Sequence, residues 1–242
     1  MFTRFIAALE RRHLATLTFP ELRRAVQALS SLYVERRQRL APHKVFDGAG
    51  KRAAFAAFYA PLHFLLVEQI VQALHLPTPN HLTELGCGTA AAGAAWVGAT
   101  NAHYSGYDVH PWVTREATWT LQTLGIKGRV HTKDLFAAKL TDAVLAAFTI
   151  NELQATQRDQ LLQKLLSCGA QVLIVEPIAK SAFWPAWEKA FVEHGGRSDE
   201  WRFRIELPEF LQRMDRAAGL DHRELTGKSL WLPARQQPLS PR

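Results

Sequence analysis

Cysteine is nearly absent from this sequence, which contains Cys87 and Cys168 and no others. Two cysteines cannot form a disulfide framework or a four-cysteine metal site, and they favour a reducing compartment. The ten histidines show no spacing diagnostic of a zinc site. We therefore expect a cytoplasmic protein without a bound metal.

Long apolar runs and a signal peptide are also lacking. The longest apolar stretch, residues 55–76, is interrupted by Pro61 and by several polar residues, so no run reaches the roughly 18 to 20 residues needed to span a bilayer. The first residues lack the apolar segment and cleavage site of a signal peptide. The helical spacing of Phe2, Phe5, Ile6 and Leu9 predicts an amphipathic helix packed on the protein, with an organellar presequence as the alternative. We expect no membrane partner.

Acidic residues are scarce in the first third of the chain. Residues 1–79 contain 11 Lys and Arg against 5 Asp and Glu, whereas residues 80–242 contain 18 against 17. Nearly all of the net charge of +7 therefore lies in the first third. Such asymmetry favours a polyanionic partner, and a solvated helix face explains it equally well.

Two patterns of periodicity divide the chain. Helical spacing predicts helices over residues 19–39 and 53–76, the second bending or breaking at Pro61. From His81 onward strands alternate with helices, and the predicted strands are residues 81–85, 103–108, 129–133, 142–149 and 171–176. A helix over 208–218 then precedes segments 221–225 and 229–232, which a turn at Gly227 and Lys228 would join as an antiparallel hairpin.

These elements predict an α/β fold. Its Rossmann-like, seven-stranded, mostly parallel sheet ends in a C-terminal antiparallel hairpin and follows an all-helical N-terminal extension. The expected division is a basic helical extension or cap over 1–79, a domain carrying the sheet over 80–235, and a frayed tail over 236–242.

The segment T-E-L-G-C-G-T-A-A-A-G, residues 83–93, lies where the first strand turns into a helix. Gly86 and Gly88 suit a tight turn and let a ligand approach the backbone. Glu84 places a carboxylate at the carboxyl edge of the sheet, where open α/β sheets bind ligands. The glycines alone also fit the dinucleotide fingerprint, so a nicotinamide-dependent enzyme is an alternative.

The run E-L-G-C-G-T resembles the first motif of class I S-adenosylmethionine-dependent methyltransferases, an acidic residue followed by x-Gly-x-Gly-x-Gly. The resemblance implies that Glu84 lies near the methionine amino group of the cofactor. It also implies that Gly86, Cys87 and Gly88 line the methionine and ribose portions, with Cys87 a small contact residue rather than a nucleophile. Ala90 replaces the third glycine and leaves the loop slightly more crowded.

Two further carboxylates follow the next two strands. Asp108 ends the second strand, 22 residues after Gly86, where a carboxylate can accept hydrogen bonds from both ribose hydroxyls. The resemblance implies that Asp134 bonds the adenine amino group and that Val109 and Leu135 contact the adenine ring. Three acids at successive strand ends favour S-adenosylmethionine over a nicotinamide cofactor, and an inactive cofactor-binding relative is a second alternative.

In this family the methyl group lies near the end of the fourth strand, where the sequence reads F-T-I-N-E-L, residues 148–153. Asn151 and Glu152 are the candidate catalytic residues, because either can bind the acceptor or the methionine end of the cofactor. Glu152 could act as a general base where the acceptor atom carries a proton. Asn151 also suits a helix cap, and Glu176 is a further candidate on the same edge.

A second resemblance concerns the acceptor. N-E-L with Arg158 downstream, then L-I-V-E-P, together with L-Y-V-E-R-R over residues 32–37 and a helix containing Tyr59 and Pro61, resembles a ribosomal small-subunit-associated methyltransferase-like family. The cysteine-rich metal site of its mitochondrial members is absent. Membership implies an RNA, above all rRNA, or a ribosomal component as acceptor, bound through the basic N-terminal helices.

Other features leave the acceptor open. Trp201-Arg202-Phe203-Arg204 interleaves aromatic and cationic side chains and is a candidate for base stacking. The alternatives to RNA methylation are a small-molecule methyltransferase with the N-terminal helices as a lid, and a non-catalytic cofactor-binding assembly factor.

Overall fold

The N-terminal third is helical in the computed structural model, which describes residues 1–35, 46, 48–98 and 100–235. The predicted tail over 236–242 and the Arg36 and Arg37 of the second resemblance lie outside the described residues. The helices are α1 (Phe2–Leu14), α2 (Phe19–Glu35), α3 (Ala49–Ala54), a π-helical turn (Phe55–Tyr59) and α4 (Ala60–Ala73).

The predicted amphipathic N-terminal helix is confirmed as α1. Phe5, Ile6 and Leu9 are buried, and Phe2 packs against the same cluster. Its polar face is attached to the rest of the protein by Arg4, which donates to the carbonyl of Thr123 at 3.1 Å.

The sequence predicts a bend or a break at Pro61, and the break is wrong, since helix α3, the π-helical turn and α4 run without interruption from Ala49 to Ala73. Proline has no N–H to donate to the carbonyl one turn earlier, and the wider π turn just before it accommodates this loss. By length and composition this 25-residue helix could span a membrane, but 67% of its most apolar window is buried inside the protein. Core helices of soluble proteins share these properties, so the helix is weak evidence for a membrane span.

The predicted seven-stranded sheet is confirmed. Its strands are β1 (His81–Leu85), β2 (His103–Asp108), β3 (Lys127–Thr132), β4 (Ala143–Ala147), β5 (Gln171–Glu176), β6 (Arg197–Arg204) and β7 (Glu224–Leu232). Their order is β3-β2-β1-β4-β5-β7-β6, with the first five parallel and β7 antiparallel to both β5 and β6. The connecting helices are α5 (Ala91–Val97), α6 (Pro111–Leu124), α7 (Ala155–Ser167), α8 (Trp184–Glu193) and α9 (Glu209–Ala217).

The antiparallel pair at the C-terminus uses different strands from those predicted. Gly227 and Lys228 do not form a turn, because both lie inside the continuous strand β7. Its partner is β6, which pairs Trp201 with Gly227 and Phe203 with Leu225. Trp201 and Phe203 stack on one face of β6 at 5.5 Å and pack against the main core, so they are packing residues rather than exposed base-stacking platforms.

Both faces of the sheet are covered by apolar clusters. On β4 and β5, Leu145 and Leu173 belong to the cluster that includes the N-terminal helices, whereas Val144 and Val172 belong to the cluster beneath α7 and α8. The alternation follows from the pleat of the strands. The carboxyl edge of β1, β2, β4 and β5 is therefore fixed by two packed layers, and the candidate site lies there.

Candidate active site at the carboxyl edge of the sheet

The glycine-containing turn between β1 and α5 forms the base of the site. Gly86 and Gly88 have φ of +62° and +52°, in the left-handed region that glycine adopts without steric cost. A Cβ on Gly86 would lie 2.5 Å from two atoms of Thr149, whereas one on Gly88 would meet only the ring of Phe55, at 3.9 Å. Gly86 thus permits close packing of β1 on the end of β4, and Gly88 leaves the turn open.

Ala90, in the position of the third glycine, also adopts a left-handed conformation, with φ +62° and ψ +16°. The turn therefore keeps the backbone path that glycine would give, although an alanine occupies this position. The crowding expected from the sequence takes the form of backbone strain, because a Cβ in this region approaches the following carbonyl oxygen.

Glu84 is buried beneath the turn. Its Oε2 accepts hydrogen bonds from the Tyr104 hydroxyl and from the backbone N–H of Gly93, the latter at 3.2 Å, and its Oε1 bonds to none of the described residues. Burial raises the pKa of Glu84 to about 8, against the lowering effect of these two bonds. Gly93 must be glycine here, since a Cβ would lie 2.3 Å from the Glu84 carboxylate.

Asp108 connects the end of β2 to the glycine turn. Its Oδ2 accepts from the N–H of Gly88 at 3.1 Å, and its Oδ1 accepts from the N–H of His110 at 3.0 Å. Each oxygen keeps a further lone pair, so the carboxylate can still accept from a pair of hydroxyls. Burial raises the pKa of Asp108 above its ordinary value.

The predicted adenine contacts lie on the same edge. Val109 is exposed directly after Asp108, and Leu135 is buried at the start of a 3₁₀ turn after β3. Asp134 is exposed and caps that turn, with its Oδ1 accepting from the N–H of Phe136 at 2.8 Å. Since β2 and β3 pair Asp108 with Thr132, Asp134 follows β3 close to the end of β2.

Asn151 and Glu152 occupy the 3₁₀ turn after β4, residues Ile150–Glu152. Asn151 does not cap α7, whose N-cap is Gln154; its amide instead donates to the carboxylate of Glu176. Glu152 lies at the mouth of the site, with part of the residue in solvent and its carboxyl group largely surrounded by protein. Desolvation by the surrounding protein, helped by the charge of Asp108, raises its pKa to about 7.

Aromatic side chains that the sequence reasoning passed over form the opposite wall. His63 on α4 stacks on Phe148 with ring centroids 3.8 Å apart, and Phe55 lies beside both His63 and Gly88. His63 bonds to none of the described residues, and burial lowers its pKa to about 3, so it is neutral at physiological pH. Phe148 has a φ of +59°, a conformation that side chains with a Cβ seldom adopt. The local signal for this residue is a histidine in the first half of α4, which is otherwise apolar up to Val67.

The carboxylates influence one another across the site. Burial is the main cause of the raised pKa values of Glu84, Glu152 and Glu176. The charge of Asp108 adds to the effect at Glu84 and Glu152, and the charge of Glu152 adds to it at Glu176. Four acids on four strand ends therefore face a common region. Burial, together with the charges of Glu84 and Asp108, raises the pKa of the Cys87 thiol and keeps it protonated, which agrees with a contact role rather than a nucleophilic one.

The site favours a cationic ligand. Acids held close together at raised pKa values are stabilised by a positive charge placed among them. No group of three or more His, Cys, Asp or Glu side chains within the described part of the chain is arranged to hold a metal ion.

Comparisons with known proteins define the class of fold. No protein-family model matches the chain, and no curated protein matches it. Among solved structures, the magnesium protoporphyrin IX methyltransferase of Synechocystis PCC 6803, determined with bound S-adenosylmethionine, is 14% identical with a TM-score of 0.51. The match covers 85% of this chain and 95% of that one. The mitomycin 7-O-methyltransferase MmcR is 12% identical with a TM-score of 0.54, over 95% of this chain and 72% of that one.

The chain therefore has the class I methyltransferase fold, as its first motif predicts. The antiparallel β7 between β5 and β6 also separates it from the dinucleotide-binding sheet of order 3-2-1-4-5-6. This topology argues against the nicotinamide-dependent alternative.

Proposed function

We propose that the protein is an S-adenosylmethionine-dependent methyltransferase whose acceptor is RNA, with rRNA or a ribosomal component as the expected target. The methyltransferase activity is supported by the group of carboxylates around an open glycine turn at the carboxyl edge of this fold. The cofactor is a sulfonium with an ammonium group, a ribose and an adenine, and the site offers a partner for each.

Each predicted residue can hold a separate portion of the cofactor. Asp108 has lone pairs for the ribose hydroxyls, and Glu84 has an unused oxygen for the ammonium group. Val109 and Leu135 supply apolar surface beside the ribose position. Gly88 lets the ligand approach the backbone, since no side chain occupies that space apart from the Phe55 ring.

The bound cofactor supplies an activated methyl group, so the protein has chiefly to position the acceptor in line with it. Glu176 fixes the turn that carries Asn151, leaving the Asn151 carbonyl oxygen to accept from an amino or hydroxyl group. Glu152, with a pKa of about 7, is partly deprotonated at neutral pH and can take a proton from the acceptor.

A basic face supports RNA as the acceptor. Helix α1 packs on α6, and α6 packs beside β3, the edge strand, so their exposed side chains form one surface. Its exposed cations are Arg4, Arg11, Arg12, Arg115, Lys127, Arg129 and Lys133. The acids on these elements are Glu116, which is buried in an ion pair with Arg12, and Glu10, which is partly exposed on α1. Such a surface can contact successive phosphates of an RNA strand.

Cofactor binding should be tested first. Calorimetry with S-adenosylmethionine and with its demethylated product should give saturable binding to the folded protein. A folded protein that binds neither would overturn the proposed activity. Incubation with radiolabelled cofactor and fractionated cell extract should then label RNA, and label confined to small molecules would assign the acceptor to that class instead.

The basic face can be tested by charge reversal. Fluorescence anisotropy with labelled ribosomal RNA fragments should show affinity falling steeply with salt. Replacing Arg115, Arg129 and Lys133 by glutamate should weaken binding and reduce the slope of log affinity against log salt by roughly 1 per lost phosphate contact. The control replaces Arg202 and Arg204 on β6, the opposite edge strand, by glutamate. It should leave the RNA affinity and its salt slope unchanged. Equal losses of RNA affinity in the two variants would mean that this face does not support RNA as the acceptor.

One observation favours a small-molecule acceptor as the second candidate. The His63–Phe148 stack continues into Phe55, whose ring lies beside Gly88, and this apolar wall suits a flat ring enclosed by α4. A flat salt profile together with labelled small-molecule product would support this function.

A further inference from the structure

An open pocket lies between α1, α3 and α6, apart from the residues predicted to bind the cofactor. Its volume is about 490 Å³, within the range of small-ligand sites. The polar and aromatic side chains that line it are Arg12, His13, Thr16, Arg52, Trp112 and Glu116. We call it the Arg12–Arg52 pocket. None of the functions considered above requires it.

Both arginines are held in place by contacts that leave donors unused. Arg12 donates through Nη2 to Glu116 at 2.9 Å, and its guanidinium lies 4.4 Å from the ring centre of Trp119. Arg52 donates through Nε to the carbonyl of Phe46 at 2.8 Å and lies 5.7 Å from the ring centre of Trp112. The two Nη groups of Arg52 bond to none of the described residues. A guanidinium fixed in this way can offer its remaining N–H groups to an anion with little loss of entropy.

The lining carries a net positive charge. Glu116 balances one of the two arginines, and His13 does not add a charge, because burial and the neighbouring Arg12 lower its pKa to about 4. One arginine charge therefore remains without an acid among the lining residues. An anion in the cavity would compensate it.

The pocket lies next to the cofactor site. Trp112 begins α6 just after Asp108, and His110 between them donates its backbone N–H to that carboxylate. The ring of Phe46 contacts both Trp112 and Phe55, with centroids 5.6 and 5.0 Å away. A ligand in the pocket would therefore sit beside the cofactor site and at the end of the basic face.

We propose that the Arg12–Arg52 pocket binds a phosphate group, with the planar forks of the two arginines as donors and Thr16 and Trp112 as flanking contacts. The proposal rests on the proposed function where the phosphate belongs to the RNA acceptor, which this pocket would anchor beside the cofactor site. A free phosphate or small phosphorylated ligand would be held by the same donors.

The first experiment measures the binding of inorganic phosphate to the whole chain by calorimetry. Arg52→Gln should weaken binding about tenfold or more, because a hydrogen bond to a charged group contributes about 1.5–3 kcal/mol. Arg52→Lys should give an intermediate loss, since it keeps the charge but not the fork. Arg202→Gln on β6 is the matched control and should have no effect. Absence of phosphate binding, or equal binding by wild type and Arg52→Gln, would overturn the proposal unless RNA binding depends on Arg52.

The second arm measures the binding of ribosomal RNA fragments by the same variants, and circular dichroism with thermal unfolding confirms that each variant is folded. A loss on RNA specific to Arg52→Gln supports an RNA phosphate as the ligand. A loss on inorganic phosphate alone supports the pocket but assigns it to a free phosphate. If neither phosphate binding nor RNA binding depends on Arg52, the pocket proposal is wrong. Failure to bind S-adenosylmethionine would instead overturn the methyltransferase function and leave the pocket proposal standing.

Discussion

The carboxylate of Glu176, at the end of β5, accepts a hydrogen bond of 2.7 Å from the backbone N–H of Ile150, in the turn that follows β4. The N–H and the side-chain amide of Asn151 point at the same carboxylate. Glu176 thus holds the turn that carries both candidate catalytic residues while remaining buried itself. We assign it as a positioning residue for Asn151 and Glu152.

This arrangement predicts how stability depends on pH. Burial raises the pKa of Glu176 from 4.5 to about 8, so the folded state binds its proton more tightly than the unfolded state. The resulting stability is complete below pH about 4.5 and is lost as the pH rises towards 8. Chemical unfolding measures the free energy of unfolding between pH 5 and 8. This free energy should decline less steeply with pH in Glu176→Gln than in wild type, by up to about 1.4 kcal/mol per pH unit. Glu200→Gln, on the exposed face of β6, is the control, and parallel curves for all three proteins would contradict the assignment.

Glu84 should release a proton when the cofactor binds. Its pKa of about 8 leaves it mostly protonated at pH 7, and a nearby ammonium or sulfonium favours the charged carboxylate. Cofactor affinity should therefore rise with pH between about 6 and 8. Calorimetry at pH 7 in buffers of different ionisation enthalpy should detect more protons released by wild type than by Glu84→Gln. Equal release by the two proteins, both folded, would show that Glu84 does not face the cofactor.

The parallel part of the sheet could be predicted from sequence because β4 and β5 are short apolar segments with polar residues at or beside their ends, and because strands alternate with helices from His81 onward. Strand β6 was missed for a physical reason. Arginine and acid side chains occupy its outer face, as edge strands require, and they obscured the period-two pattern of Trp201 and Phe203. Lys228 and Gly227 resembled a turn, yet Lys228 is buried in β7 and donates to the carbonyl of Ala179.

The site could be predicted where it follows strand ends and not where it depends on distant contacts. Carboxyl ends of parallel strands share one edge, so the approximate positions of Glu84 and Asp108 follow from the strand assignments. The stacking of His63 on Phe148 joins a helix of the N-terminal third to the end of β4, and no local pattern encodes that contact.

Asp108 should contribute strongly to cofactor affinity. Replacing it by alanine removes the ribose acceptor and frees the N–H of Gly88, which it now holds at 3.1 Å. We expect the affinity for S-adenosylmethionine to fall about tenfold or more, as measured by calorimetry. Asp142→Ala, at an exposed position before β4, is the control. An unchanged affinity in folded Asp108→Ala would refute the ribose role.

Ala90 allows the strain in the glycine turn to be measured. Replacing a buried alanine by glycine loses a methyl group, about 0.8 kcal/mol, and adds unfolded-state entropy, about 0.4–1 kcal/mol. At Ala90 these losses should be offset by relief of the left-handed conformation, about 1–2 kcal/mol. Ala92, in the helix α5 that follows, is also buried but has helical geometry, so Ala92→Gly has no such relief. Chemical unfolding should therefore find Ala90→Gly less destabilising than Ala92→Gly by at least about 1 kcal/mol. Equal losses would mean that the turn holds Ala90 without strain.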